Sequence, residues 1–365
     1  MGSSASAAQG VTRGRARAIF VTMRSRPATS ASPSVSRPGL SGLVAAALVI
    51  GCKPEAGEAT ASTGEPGEPV MTGETSTGTA TTTSASAMSD SGAPTTGGPD
   101  LPPARACNGD PALCERRFDE VVFPCTHNAY AAKDEGFAQV NANQQHGVGQ
   151  QLVDGVRCMM LDVHDNAGQT ALCHGGCALG ELDHLEVLLE IEAFLAANPD
   201  EVLTIIYEDH VPVERVVADL EDSGLAERVY THEPGGTWPT LAAMIDADTR
   251  LLVTAENGSP PPAWFAHVWD LTWDTPYSFH SVDEFSCALN RGVMGNSLFL
   301  VNHWLSTMFD TPSQPDAAIA NAYDVLYGRA TQCQQEAKQL PNFLAVDFYE
   351  RGDLFAVVRA LNGLP

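Results

Sequence analysis

The stretch Gly155–Cys177, GVRCMMLDVHDNAGQTALCHGGC, decides how the chain reads. It sets Arg157, Asp162, His164, Asp165 and His174 among two short apolar runs. Cys158-Met159-Met160-Leu161 reads as a buried strand ending on Asp162, and Thr170-Ala171-Leu172-Cys173 as the next strand, ending on His174. Polar groups at the carboxyl ends of successive strands are where α/β barrels place their chemistry. The arrangement occurs upstream, where Val121-Val122-Phe123 runs into Cys125-Thr126-His127-Asn128. It recurs downstream, where Val202–Tyr207 ends on Glu208-Asp209-His210. Four strand ends then present two histidines, an amide and several carboxylates.

Working outward, Asp183–Asn198 has helical period, opens on a capping box of Asp183 and Glu186 and stops at Asn198-Pro199. Val202–Tyr207 is continuously apolar, as a strand covered on both faces should be. Further strands are expected at Leu251–Val253, Ser297–Val301 and Phe343–Val346, the last ending on Asp347, with a long helix over about 316–338. Strand–helix alternation with polar strand ends predicts a distorted (βα) TIM-type barrel over 104–365. About seven strands are legible; a further one is expected near Val229 or Val268.

Two segments precede the barrel. Residues 1–52 read as a lipoprotein signal segment: Arg24, Arg26 and Arg37 come before the apolar run Leu43–Ile50, which leads to Gly51-Cys52. Residues 53–103 are a Thr/Ser/Gly/Pro linker with too little apolar surface to order itself. A chain of that kind spans on the order of 40 Å root-mean-square. These features predict an exported protein held at the membrane through a lipidated Cys52.

Charge excludes some partners. The chain has 45 acidic and 20 basic residues; seven of each precede Ala104, which leaves 38 against 13 in the barrel. No clustered Lys and Arg are left to bind nucleic acid, and anionic bilayers exert no general attraction. A monomer is expected. Besides Cys52 there are eight cysteines, an even number that suits export. Cys107 and Cys114 flank one loop and Cys173 and Cys177 another; Cys287 and Cys333 can join later loops, and Cys125 and Cys158 either pair or stay buried thiols. Zinc on Cys173-His174-x-x-Cys177 is the rival reading.

Two histidines on different strand ends suit paired proton transfers, one from an attacking hydroxyl and one to a leaving oxygen. Asn128, Asp162 and Glu208 offer oxygen ligands to a hard divalent cation. With no GxSxG and no P-loop, this points to phosphodiester chemistry.

Thr126-His127-Asn128, Gly155-Val156-Arg157 with Leu161-Asp162, His174-Gly175 and Glu208-Asp209 resemble the X domain of phosphatidylinositol-specific phospholipase C. The likeness extends to plant and bacterial X-domain-containing proteins and runs from about Cys107 to Asp353. It implies cleavage of phosphatidylinositol or a glycosyl-inositol lipid in two steps. His127 would be the general base on the inositol 2-hydroxyl, His174 the general acid on the diacylglycerol oxygen, and Asp347 the carboxylate orienting His127. Calcium would be held by Asn128, Asp162 and Glu208. Met160 stands where the fourth ligand, a carboxylate, is expected; a thioether is a poor calcium ligand, so either the affinity drops or Asp209 substitutes. Arg157 either touches the phosphate or pairs with a barrel carboxylate. His164 is incidental, and His146, His184, His232, His267 and His280 are read as solvated. The aromatic run Trp264, Phe265, Trp269, Trp273 and Tyr277 is expected to pack an irregular lid. The alternatives are an inactive inositol-lipid or glycan binding protein on the same barrel and a glycerophosphodiester phosphodiesterase.

Overall fold

A computed structural model describes residues 105–365 apart from Pro234. The expected signal segment and linker, 1–52 and 53–103, and Cys52 with them, lie outside the described residues. In chain order the elements are β1 (Phe123–Thr126), α1 (Val148–Asp154), β2 (Cys158–Asn166), β3 (Gln169–Leu172), β4 (Leu182–Asp183), α2 (His184–Ala197) and β5 (Leu203–Asp209). Then come α3 (Val213–Asp222), α4 (Leu241–Asp246), β6 (Leu251–Ala255), β7 (Ala266–His267), α5 (Val268–Leu271) and β8 (Thr272–Asp274). The chain closes with β9 (Leu298–Asn302), α6 (Gln314–Ala320), α7 (Tyr323–Ala337), β10 (Phe343–Val346) and α8 (Leu354–Leu361).

Eight strands curl in the order β7-β6-β5-β2-β1-β10-β9-β8, every neighbouring pair parallel. The path stops at β7 and β8, so the barrel is open there. The cause is local: only the four-residue α5 separates these strands, far less than the dozen or so residues a parallel crossover needs. Strands are found on both sides of Val268, while Val229 makes only an isolated bridge to Leu251.

Alternation along each strand sorts side chains between two cores. Phe123, Cys125, Cys158, Met160, Ile206, Leu252, Leu300, Phe343 and Ala345 pack together inside the barrel. Met159, Leu161, Ile205, Tyr207, Val253, Leu344 and Val346 face the helices, against Leu188, Ile191, Val216 and Leu354. Continuing the inner parity past the apolar layers brings Asp162 above Met160 and Glu208 above Ile206, and the two carboxylates are register partners. Fully burying aliphatic and aromatic side chains of this size contributes about 1.5–3 kcal/mol each.

Two sequence expectations change. The run ending on His174 is not a barrel strand. β3 pairs antiparallel with β2 and with β4. Its connection to β2 is Ala167-Gly168, both at positive φ (51° and 92°), which makes a tight hairpin and leaves no length for a parallel crossover. The long helix over 316–338 is two, α6 and α7. Between them Asn321 is fully buried and donates its amide to the Asp347 carbonyl, 2.9 Å away, so the break ties the helix pair to the end of β10. The helix over 183–198 is observed as α2, with Asp183 accepting from the Glu186 N–H at 3.1 Å.

The eight cysteines pair as Cys107–Cys114, Cys125–Cys158, Cys173–Cys177 and Cys287–Cys333. Cys125 and Cys158 are opposed on neighbouring parallel strands. With both sulfurs of the Cys173–Cys177 loop in a disulfide, the zinc reading of that loop is set aside.

Candidate active site

His127 follows directly on β1 and Asp347 directly on β10, its parallel neighbour. The His127 Nδ1–H donates to Asp347 Oδ1 at 2.8 Å, and Asp347 is 2% exposed. That fixes the tautomer and leaves Nε2 as the free, basic nitrogen. Trp304 lies flat on the imidazole, centroids 3.8 Å apart at 4°, which steadies the ring. Gln144 donates to the carbonyls of His127 and Val346, at 2.7 and 3.0 Å, lacing the two strand ends together. The next residues, Asn128 and Phe348, both have φ of 44°. That region is disfavoured for side chains other than glycine, more so for Phe than for Asn, and here it turns both strand ends into the cleft.

His174 reaches the same cleft from the loop between β3 and β4. Its Nδ1–H donates to the Asn141 carbonyl at 3.0 Å, while the Asn141 amide donates back to the His174 carbonyl at 2.6 Å. The Cys173–Cys177 disulfide brackets the loop. The His127 and His174 centroids are 6.4 Å apart at 78°, each with Nδ1 engaged and Nε2 free. Burial holds the His174 pKa below the ordinary histidine value, helped by the charge of His127 and opposed by the Asn141 carbonyl.

Asn128, Asp162 and Glu208 line the cleft with both histidines, and Met160 lies on its floor. Burial pushes the Asp162 carboxyl well above its usual range, and the charges of Glu208 and Glu256 push it further. Glu256, which follows β6, is raised to about 7, mainly by burial, with Arg291 opposing. Arg291 pairs with Glu256 at 2.8 Å and with Asp274 at 2.7 Å, and lies over the Trp269 and Tyr277 rings.

The oxygen-rich side fits a hard cation. One end of the Asn128 amide lies 3.0 and 3.2 Å from the two Asp162 carboxylate oxygens. With nitrogen at that end, Asn128 would donate to Asp162, but its carbonyl would meet Asn143 Oδ1 at 3.3 Å, acceptor against acceptor. Asn143 cannot turn to relieve this, because its Nδ2–H is given to Asp347 at 3.0 Å. With the Asn143–Asp347 bond kept, Asn128 Nδ2 donates to Asn143 and the Asn128 oxygen faces Asp162, acceptor against acceptor. Three oxygens converging in this way call for a cation or a proton between them.

Two expected site residues lie elsewhere. Arg157 precedes β2, at the opposite end of the barrel. Its Nε donates to Glu201 at 2.7 Å and its Nη1 to the carbonyls of Leu152 and Val156, so it forms a structural pair away from the cleft. Asp209 shares the helix-facing parity of Tyr207, and its Oδ1 accepts from the Asn257 N–H at 2.8 Å. Period-two geometry, which points Glu208 inward, turns Asp209 away, so Asp209 does not replace the carboxylate absent at Met160. His184 is buried rather than solvated, its ring bridging Asp219 and the Tyr207 hydroxyl. Of the expected lid aromatics, Phe265 and Trp273 are fully buried and Tyr277 lines the cleft. Sequence reasoning overlooked Asn143, Trp304, Glu256 and Arg291. Only Glu256 carried a signal, a carboxylate just beyond the apolar run Leu251–Ala255, as Glu208 follows its own run.

Fold and site together define a parallel-strand barrel whose C-terminal rim carries two oriented histidines above a cluster of carboxylates. The PI-PLC X 1 family model matches residues 113–362, and the chain belongs to that family. It is 28% identical over 291 residues to an uncharacterized secreted protein of Arthroderma benhamiae, covering 71% of this chain and 64% of that one. It is likewise 28% identical over 292 residues to a PI-PLC X domain-containing protein of Arabidopsis thaliana, covering 73% and 66%. The chain thus spans just under two thirds of these two relatives. Among solved structures it is similar to the phosphatidylinositol-specific phospholipase C of Listeria monocytogenes, at 19% identity and TM-score 0.45, covering 68% of this chain and 94% of that one.

Proposed function

We propose that the protein is an exported phosphoric diester hydrolase that cleaves phosphatidylinositol or a glycosyl-inositol lipid in the phospholipase C manner. The observation that carries this is the pair of histidines: His127, oriented by Asp347, and His174, clamped by Asn141, each present Nε2 to one cleft. His127 Nε2 takes the proton of the inositol 2-hydroxyl as that oxygen attacks phosphorus. The bond to the glycerol oxygen breaks, and His174 Nε2–H protonates the departing alkoxide. The products are diacylglycerol and a cyclic inositol phosphate, which water opens by the reverse transfers. Calcium held by Asn128, Asp162 and Glu208 would offset charge on the phosphoryl oxygens.

A lipid surface suits the His174 side of the cleft. Ser306 and Asp310 line the cleft with His174, and between them Met308 and Phe309 are 87% and 85% exposed. The loop is pinched at its base, the Thr307 N–H donating to the Thr311 carbonyl at 2.9 Å, so the apolar tip is held outward. It stands beside the proposed acid, where the diacylglycerol leaves. Export is supported by the four disulfides and by the relative described as secreted. Anchoring through Cys52 is a separate proposal, without support from the fungal and plant relatives; release of Cys52→Ser from the membrane fraction tests it.

Met160 favours a second reading, a binding protein that has lost turnover. The full chain incubated with phosphatidylinositol vesicles and calcium decides between them. Cyclic inositol phosphate with diacylglycerol is expected. Binding without either product selects the second reading, and release of glycerol phosphate from a deacylated diester selects a glycerophosphodiesterase.

A further inference from the structure

The base and the oxygen cluster are joined by one side chain. Asn143 is 2% exposed, and its backbone carbonyl accepts from the Phe348 N–H at 2.7 Å, beside Asp347. Its Nδ2 donates to Asp347 Oδ1 at 3.0 Å, the same oxygen that receives the His127 Nδ1–H at 2.8 Å. Asn143 Nδ2 also lies 3.3 Å from His127 Nδ1, so the two donors converge on one acceptor. With its nitrogen committed there, Asn143 has only Oδ1 to offer Asn128, whose Nδ2 sits 3.3 Å away. The Asn128 oxygen is thereby left 3.0 and 3.2 Å from the Asp162 oxygens.

We infer that Asn143 is a positioning residue: by giving its N–H to Asp347 it fixes the Asn128 carbonyl toward Asp162 and so keeps the cation site open. Two amides pass the acceptor demand of the Asp347 carboxylate to the far side of the cleft. Without Asn143, the Asn128 amide is free to turn and donate both N–H groups to Asp162. The site then closes on itself, its charge satisfied by hydrogen bonds instead of an ion. The inference deepens the cation reading and rests on it for its effect on calcium. The orientation it assigns to Asn128 can be read without calcium, where a proton would stand between the Asn128 and Asp162 oxygens.

Two variants separate this role from plain packing. Asn143→Ala removes both ends of the relay. Asn143→Asp keeps an acceptor for Asn128 but offers no donor to Asp347, and sets a like charge against it. Calorimetric titration of the full chain with calcium chloride should show Asn143→Ala binding about 10–100-fold more weakly, the usual effect of losing a residue that orients a metal ligand. Asn143→Asp should bind at least as tightly as wild type while losing turnover, because the damage falls on the His127 side. Equal calcium affinity in all three proteins, or the same weakening in both variants, would overturn the inference. Neutron diffraction from the calcium-free protein gives a readout without the ion. The Asn128 amide deuterons should face Asn143 in wild type and Asp162 in Asn143→Ala. If wild type binds no calcium, the cation reading fails and the deuteron positions still decide the relay: deuterons on the Asp162 side in wild type would refute it.

Discussion

The two ends of the barrel treat charge in opposite ways. At the N-terminal end each buried arginine is surrounded by acceptors. Arg157 has Glu201 and two carbonyls; Arg250 has Asp248 and the carbonyls of Leu195, Asn198 and Glu201. At the C-terminal end Asp162, Glu208 and Asp347 have no Lys or Arg partner among the described residues, and Arg291 pairs with Glu256 and Asp274. Charges that are mutually satisfied hold a structure together, whereas carboxylates crowded without cations are retained against an electrostatic cost and are a mark of chemistry. The same residue types thus act as staples at one end and as a site at the other.

That contrast makes variants at the two ends fail differently. The largest effect belongs to the rim. His127→Ala should lose about 10²–10⁴-fold in turnover on any inositol phosphodiester, with the melting temperature little changed. A variant that melts far below wild type would mean that the rim, too, is held by its charges. Next comes the oxygen cluster. Chelation should suppress turnover and calcium should restore it, and Met160→Glu should tighten calcium binding measured by titration. Full turnover in chelator would break the assignment of Asn128, Asp162 and Glu208.

At the opposite end the order of effects reverses. Arg157→Met leaves Glu201 without its partner, at a cost of about 3 kcal/mol for breaking a largely buried pair. In a domain of this size that lowers the melting temperature by on the order of 10 °C. Turnover per folded molecule should stay at the wild-type level; a selective loss of kcat would return Arg157 to the site.

The smallest effect is a displacement on the pH axis. The acid must be protonated to act, and burial lowers the His174 pKa in the free enzyme. The alkaline limb of kcat/KM should therefore fall below the ordinary histidine value of about 6.5. In kcat the limb should move upward, because a bound phosphodiester anion favours the imidazolium. Profiles of the two parameters over pH 4–9 check this, and an alkaline limb of kcat/KM well above 7 would contradict it.

The contrast also explains what was legible in the sequence. Asp162 and Glu208 are readable because each follows a buried apolar run on the inward parity, and His127 because it follows β1 directly. Parity, applied strictly, would also have turned Asp209 outward, since it lies two residues beyond the helix-facing Tyr207. Position along the strand would have assigned Arg157, which precedes the apolar run and so lies at the other end. His174 reaches the cleft by a route its sequence does not suggest. Its run resembles a barrel strand, yet the Ala167-Gly168 turn allows only a hairpin, and the histidine arrives on a loop. Trp304 and Asn143 left no trace, because their roles come from loops folding over the rim, and no local pattern records which loop residue will stack on His127 or point at Asp347.

Division of labour between the two histidines is the central claim, and its most direct measurement is turnover of His174→Ala on two substrates. A lipid alkoxide needs a proton to leave, whereas a phenolate-type group departs almost unaided. The variant, shown to be folded, should be severely impaired on phosphatidylinositol and largely restored on an activated inositol phosphodiester, while His127→Ala stays impaired on both. Equal losses for His174→Ala on the two substrates would contradict its role as the acid.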